Sequence, residues 1–140
     1  MADITASTAL RDFVASRLST AGGCYYYATL HSSTGSAITA GQTYAASGIG
    51  ELTNANGYTA GGVTAGTMTA TSGSLDCPDV VWTTTSGQTL AAEYCALWVN
   101  TSASITGAKL VCLKNSSQTA TNGGTLTAGF SNPIVIPTPA

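Results

Sequence analysis

An all-β architecture, an antiparallel β-sandwich behind one short N-terminal α-helix, is the fold the sequence predicts. Three observations point to it. Short runs of strand-forming residues recur with turn signals at roughly 8–12-residue spacing. Helical periodicity occurs once, before Gly22-Gly23, and alternation replaces it afterwards. No β-α-β succession competes with this pattern. The expected organisation is an arm and helix over residues 1–22 and a β-sandwich with an extended tail over residues 23–140.

The helix is expected at Ser7–Leu18, where Leu10, Phe13, Val14 and Leu18 share one face. Thr5 or Ser7 caps its start and Gly22-Gly23 stops it. Twelve residues form only a marginal helix in water, so this one needs a surface to lie on. The next element is a strand over Cys24–His31, with Tyr25, Tyr27 and Thr29 on one side and Tyr26, Ala28 and Leu30 on the other. From Ser32 to Ser74 the chain is mostly Gly, Ala, Ser and Thr, with short strands expected near Thr43–Ala46 and Val63–Thr71. Ser47-Gly48, Asn56-Gly57 and Gly61-Gly62 mark turns there.

The second half is more sharply patterned. Asp79–Thr85 reads as a strand, followed by a Ser86-Gly87 turn. Leu90–Asn100 and Lys109–Asn115 read as a hairpin that places Cys95, Leu97, Val99, Leu110 and Cys112 on one apolar face. Asn122-Gly-Gly124 turns the chain into a strand over Thr125–Phe130. Pro133-Ile-Val-Ile-Pro137 reads as an edge strand or extended tail.

Charge is scarce. Four Lys or Arg and six Asp or Glu make up 7% of the 140 residues, against about 25% in an ordinary soluble domain. Arg11, Arg17, Lys109 and Lys114 are too few and scattered to neutralise a run of phosphates, which argues against nucleic-acid binding. No apolar stretch approaches the ~20 residues of a membrane span, and the N-terminus lacks a secretory signal pattern. Synthesis and folding in a cytoplasm are expected. Cys24, Cys77, Cys95 and Cys112 lack the close pairing of a zinc site and read as buried free thiols. Cys95 and Cys112 are close enough in register to permit a disulfide without requiring one.

The inventory for chemistry is short. His31 is the only imidazole, at a strand end entering a Ser-Ser-Thr-Gly loop, and reads as a surface or packing residue. Asp76 and Asp79 flank Cys77-Pro78 and read as a turn before a strand, whereas calcium takes 6–8 oxygen ligands. Glu51 and Glu93 stand alone. Gly61–Gly66 is not followed by the Gly-Lys-Ser/Thr of a phosphate loop. Trp82 and Trp98 lie in strand interiors, where packing is the default role. No catalytic residue, cofactor or metal is expected.

Three stretches together resemble a family of small tailed-phage virion proteins. Leu10-Arg-Asp-Phe-Val14 running into Tyr25-Tyr-Tyr-Ala-Thr-Leu-His31 is similar to its opening helix and first strand. Gly50-Glu-Leu-Thr-Asn-Ala-Asn-Gly-Tyr58 through Val63 resembles its Glu…Gly-Gly-Tyr-x-x-x-x-Val segment. Val81-Trp82, Leu90-Ala-Ala-Glu-Tyr94-Cys-Ala-Leu-Trp98 and Asn122-Gly-Gly-Thr-Leu-Thr127 resemble its Trp strand, central strand and closing strand. The chain departs from the family in having Asn100-Thr-Ser-Ala-Ser after the central strand, where acidic residues are usual, and in its four cysteines.

The resemblance implies a non-enzymatic structural protein, a capsid decoration or cement protein on the outside of the virion. Its implied partners are the phage major capsid protein and further copies of itself, as a homotrimer. Candidate contact elements are Leu10, Phe13, Val14 and Leu18 of the helix, or Ile134, Val135 and Ile136 of the tail. The alternative for these residues is packing on the chain's own sandwich. A tail or fibre component that binds host glycans through exposed tyrosines is the competing function, and a hydrolase using His31 with Asp76 or Asp79 is a further one.

Overall fold

A computed structural model describes residues 17–18, 23–39, 42–45, 50–71 and 74–135. Strands dominate, and every strand pairing is antiparallel. The elements in order are β1 (Tyr25–His31), a 3₁₀ turn (Ser33–Ala37), β2 (Val63–Thr64), β3 (Thr69–Thr71), β4 (Ser74–Thr83), β5 (Thr89–Asn100), β6 (Lys109–Thr121) and β7 (Thr125–Val135). They form a sheet of order β2-β1-β5-β6 and a second of order β3-β4-β7. The chain passes between the sheets at β2–β3, β4–β5 and β6–β7.

Side chains of both sheets meet in one apolar cluster. Tyr26, Ala28 and Leu30 of β1 join Leu90, Cys95 and Leu97 of β5 on one side. Leu75, Cys77, Val80 and Trp82 of β4 and Leu126, Ala128 and Phe130 of β7 supply the other. A second cluster of Ile38, Tyr44, Ala96, Trp98 and Ala108 is contributed by β5 and by the segments around residues 38–44 and 105–108. β5 therefore buries both its faces, which is why Cys95-Ala-Leu-Trp98 is an unbroken run of buried residues.

The expected hairpin of β5 and β6 is present, with Leu97 opposite Cys112. Asn100 closes its connection: its Nδ2 donates to the carbonyls of Ser104 (2.8 Å) and Thr106 (3.1 Å). Leu110 departs from the expected face. A register shift between Leu97 and Trp98 places one extra β6 residue there, so Leu110 pairs with Trp98 and packs in the second cluster. The four cysteines are free thiols; Cys77 and Cys95 are buried, Cys24 and Cys112 half-buried.

Several expected boundaries move. The Asp76–Asp79 stretch is not a turn before a strand but part of β4, which begins at Ser74. Register shifts on either side of Cys77 accommodate Pro78, since a residue without an N–H is tolerated where the ladder is interrupted. The expected strand over Val63–Thr71 is two short strands in different sheets, separated by Ala65–Met68. Thr43 makes only an isolated bridge to Lys109. The tail strand is not separate, because β7 runs on to Val135, with Ile134 opposite Leu75.

Arg17 and Leu18 are helical, and Leu18 packs against the first cluster. The rest of the expected helix, with Leu10, Phe13 and Val14, lies outside the described residues, as do Ser47-Gly48 and Ile136.

Candidate functional site

The Glu51 carboxylate accepts three hydrogen bonds from two separate loop segments. Residues 50–52 run beside the end of β1, with Ser32 N donating to Gly50 O (2.9 Å) and Leu52 N to Leu30 O (2.9 Å). This pairing holds the Glu51 main chain opposite His31. Asn56-Gly57 then reverses the chain with both residues at positive φ, the signature of a tight hairpin turn. The reversal returns Tyr58 toward Glu51.

Both carboxylate oxygens are used. Tyr44 Oη donates to Oε2 at 2.6 Å, and Tyr58 Oη donates to Oε1 at 2.6 Å. Gly61 N also donates to Oε1, at 2.6 Å. Tyr58 Oη in turn accepts from Leu30 N at 3.2 Å, fixing the hub to β1. The Tyr58 ring tilts against Trp82 at 6.4 Å in the first cluster. The Tyr44 ring stands edge-on to Trp98 at 5.5 Å in the second. One carboxylate thus ties together two apolar clusters and three loop segments.

A second polar chain adjoins it. Trp98 Nε1 donates to Thr29 Oγ1 (2.7 Å), which is also hydrogen-bonded to His31 Nε2 (2.7 Å). Trp98, Thr29 and His31 are all fully buried. Because indole can only donate, the Thr29 oxygen accepts from Trp98. His31 is therefore a buried packing residue held by a hydroxyl.

The electrostatics match a locked arrangement. Burial, and next the hydrogen bond to Glu51, push the Tyr58 and Tyr44 phenols well above their ordinary range. Burial first, then Cys24 and Cys77, does the same to Tyr26, whose hydroxyl donates to Leu18 O. The native state therefore keeps phenolic protons at a pH where the unfolded chain, with tyrosine near 10.0, has released them. The unfolded state then binds fewer protons, so stability falls as pH rises through that value. The slope reaches about 1.4 kcal/mol per pH unit for the Tyr58 proton. Urea midpoints should hold steady from neutrality to near the ordinary thiol value of 9.0. Above it they should fall, because burial also raises Cys77, Cys95 and Cys112, and above the tyrosine value they should fall more steeply. Tyr58→Phe should flatten that steeper fall; an unchanged slope would contradict the assignment.

Burial also pushes the thiols up: Cys77 to about 12, with Cys112 and the two Asp residues adding to it, and Cys95 to about 11 against the opposing effect of Lys114. Cys112 rises to about 11 from burial, with Lys114 opposing. Thiolate is the reactive form. Cys77 and Cys95 should therefore resist a disulfide reagent in the native protein and react fully in urea. Fast native labelling of either would contradict their placement.

The structure does not bring His31 together with Asp76 or Asp79. His31 is enclosed on β1, while the two Asp side chains are exposed on β4 in the other sheet. Among the described residues, no three of His, Cys, Asp and Glu converge so as to hold a metal ion. One surface depression of about 300 Å³ is lined by Leu18, Cys24, Val99 and Lys109 among others. Of the candidate contact residues, Leu18 sits there against the chain's own core, and Ile134 and Val135 belong to β7. Trp82 and Trp98 pack in the two clusters as expected.

Glu51 is the residue that sequence reasoning missed. It stands alone in the sequence, yet in the structure it is a shared partner of Tyr44 and Tyr58. The one available signal was its place with Tyr58 in the Glu…Gly-Tyr segment. No known protein family, curated protein or solved structure matches the chain.

Proposed function

We propose that the chain is a structural protein of a phage virion. In this reading it is a β-sandwich behind an N-terminal helix, a homotrimeric decoration protein that bridges neighbouring major capsid subunits on the outside of the shell. The observation that carries the reading is the outward side of the β4–β7 pair. Val81, 52% exposed, lies opposite Thr127, and the next pair is Thr83 with Thr125. The hydroxyl and aliphatic side chains at these four positions suit the core of a contact with other protein, since interface cores are depleted in charge. The exposed Asp76 and Asp79 earlier on β4 suit its polar rim.

The mechanism is mechanical. Apolar contact contributes roughly 25 cal/mol per Å², and a typical interface buries about 800 Å² per partner. Modest contacts repeated over many copies therefore reinforce a shell. The Glu51 hub fits this role by holding the Gly-rich 50–62 segment in one shape. It also gives the Glu…Tyr part of the family resemblance a physical purpose.

Antibody labelling of intact particles tests the assignment. Labelling over the head surface is expected, whereas labelling confined to the tail would replace the decoration reading with the fibre one.

A further inference from the structure

The chain contains two Asn-Gly pairs in the described turns, Asn56-Gly57 and Asn122-Gly123, and all four residues have positive φ. Asn is among the thermolabile residues. A following Gly leaves the next backbone nitrogen free of side-chain cover as it approaches Cγ.

The two pairs meet different surroundings. Asn56 is half-buried, and its Nδ2 donates to Thr89 O at 2.7 Å. Gly57 is wedged against β4, where a Cβ would collide with the Thr83 carbonyl oxygen. Both the amide that must leave and the backbone that must attack are held. Asn122 is exposed, and a Cβ on Gly123 would meet no atom within 4 Å. Both turns leave the glycine nitrogen outside their closing bond, Gly124 N donating to Thr121 O (2.8 Å) and Tyr58 N to Ala55 O (2.9 Å). The difference therefore lies in the packing around the glycine and the partners of the Asn side chain.

Asn122 has a further feature. Its Oδ1 accepts from Gly87 N at 3.0 Å and from Ser86 Oγ at 3.4 Å. These donors polarise the Cγ carbonyl and face the oxygen that becomes negative when Cγ turns tetrahedral. Donors so placed stabilise an oxyanion.

We propose that Asn122 is a self-modification site, deamidated in the folded protein with assistance from the Ser86–Gly87 turn. Gly123 N loses its proton and bonds to Cγ. The Cγ–Nδ2 bond breaks, ammonia leaves with that proton, and a five-membered succinimide forms. Water then adds to either succinimide carbonyl, leaving Asp or isoaspartate at position 122. Water is the only co-reactant. The product adds one negative charge to a net charge of −2, in a chain with only ten charged side chains. The isoaspartate route also lengthens the main chain by one methylene in the turn that carries β6 of one sheet into β7 of the other.

The test is prolonged incubation of the purified chain at mildly alkaline pH, followed by isoelectric focusing and peptide mapping. In the folded protein Asp and isoaspartate should accumulate at position 122 about tenfold faster than at position 56. In urea that gap should close. Ser86→Ala should slow conversion at Asn122 several-fold in the folded protein and leave Asn56 unaffected. Equal rates at the two sites when folded, a gap that persists in urea, or an Asn122 rate unmoved by Ser86→Ala would each overturn the proposal.

Discussion

Replacing Glu51 by Ala should lower folding stability by about 3–5 kcal/mol, because the Tyr44 and Tyr58 hydroxyls and Gly61 N then lose their acceptor together. Native domains are stable by only about 5–15 kcal/mol, so this is a large part of the total. A fall in Tm on the order of 10–20 °C is expected. Glu51→Gln keeps one accepting oxygen and should cost about 1–2 kcal/mol. Tyr44→Phe and Tyr58→Phe remove donors that share the carboxylate. Their effects should therefore be non-additive with Glu51→Ala in a double-mutant cycle. Additive losses, or a Glu51→Ala cost below about 1 kcal/mol, would show that the hub does not hold the loop.

The second large effect is expected at Gly62. Its φ is +65°, and a Cβ there would collide with the backbone oxygen of Ala28 in β1. Gly62→Ala must therefore both strain the main chain, at about 1–2 kcal/mol, and push β1 away from the segment beside it. A total loss of about 4 kcal/mol or more is expected. Gly123 provides the control: its φ is +81°, and the same added atom meets open space. Gly123→Ala should cost only the conformational part, about 1–2 kcal/mol. Similar losses at both positions would mean that the close approach at Gly62 carries no weight.

What the sequence revealed and what it concealed divide along local and non-local lines. The alternation of Tyr25, Tyr26 and Tyr27 is legible because a strand's period is local, and Tyr26 is the buried member. The β5–β6 hairpin is legible for the same reason. The bulges are not: an extra residue in β6 moves Leu110 to the other cluster, and only the pairing with β5 defines it. Pro78 suggested a break, yet the chain absorbs it inside β4 by shifting register. The short strands β2 and β3 are obscured because Gly-, Ala- and Thr-rich stretches specify register weakly.

The site was hidden for a related reason. Glu51 reaches Tyr44 and Tyr58 from seven residues away on either side, across a segment without periodicity. His31 reads as a strand-end residue, but Trp98 lies opposite Tyr27, close enough for its indole to reach Thr29 and enclose the histidine. Scarcity of charge was visible from composition alone. That a single carboxylate would gather two phenols required the fold.

The proposed role of the chain is to reinforce a virion from outside. Heat-induced release of DNA from purified particles, compared with particles lacking this protein, tests it most directly. Depleted particles should rupture at a clearly lower temperature, and adding back purified protein should restore the original value. Rupture at the same temperature with and without the protein would contradict it.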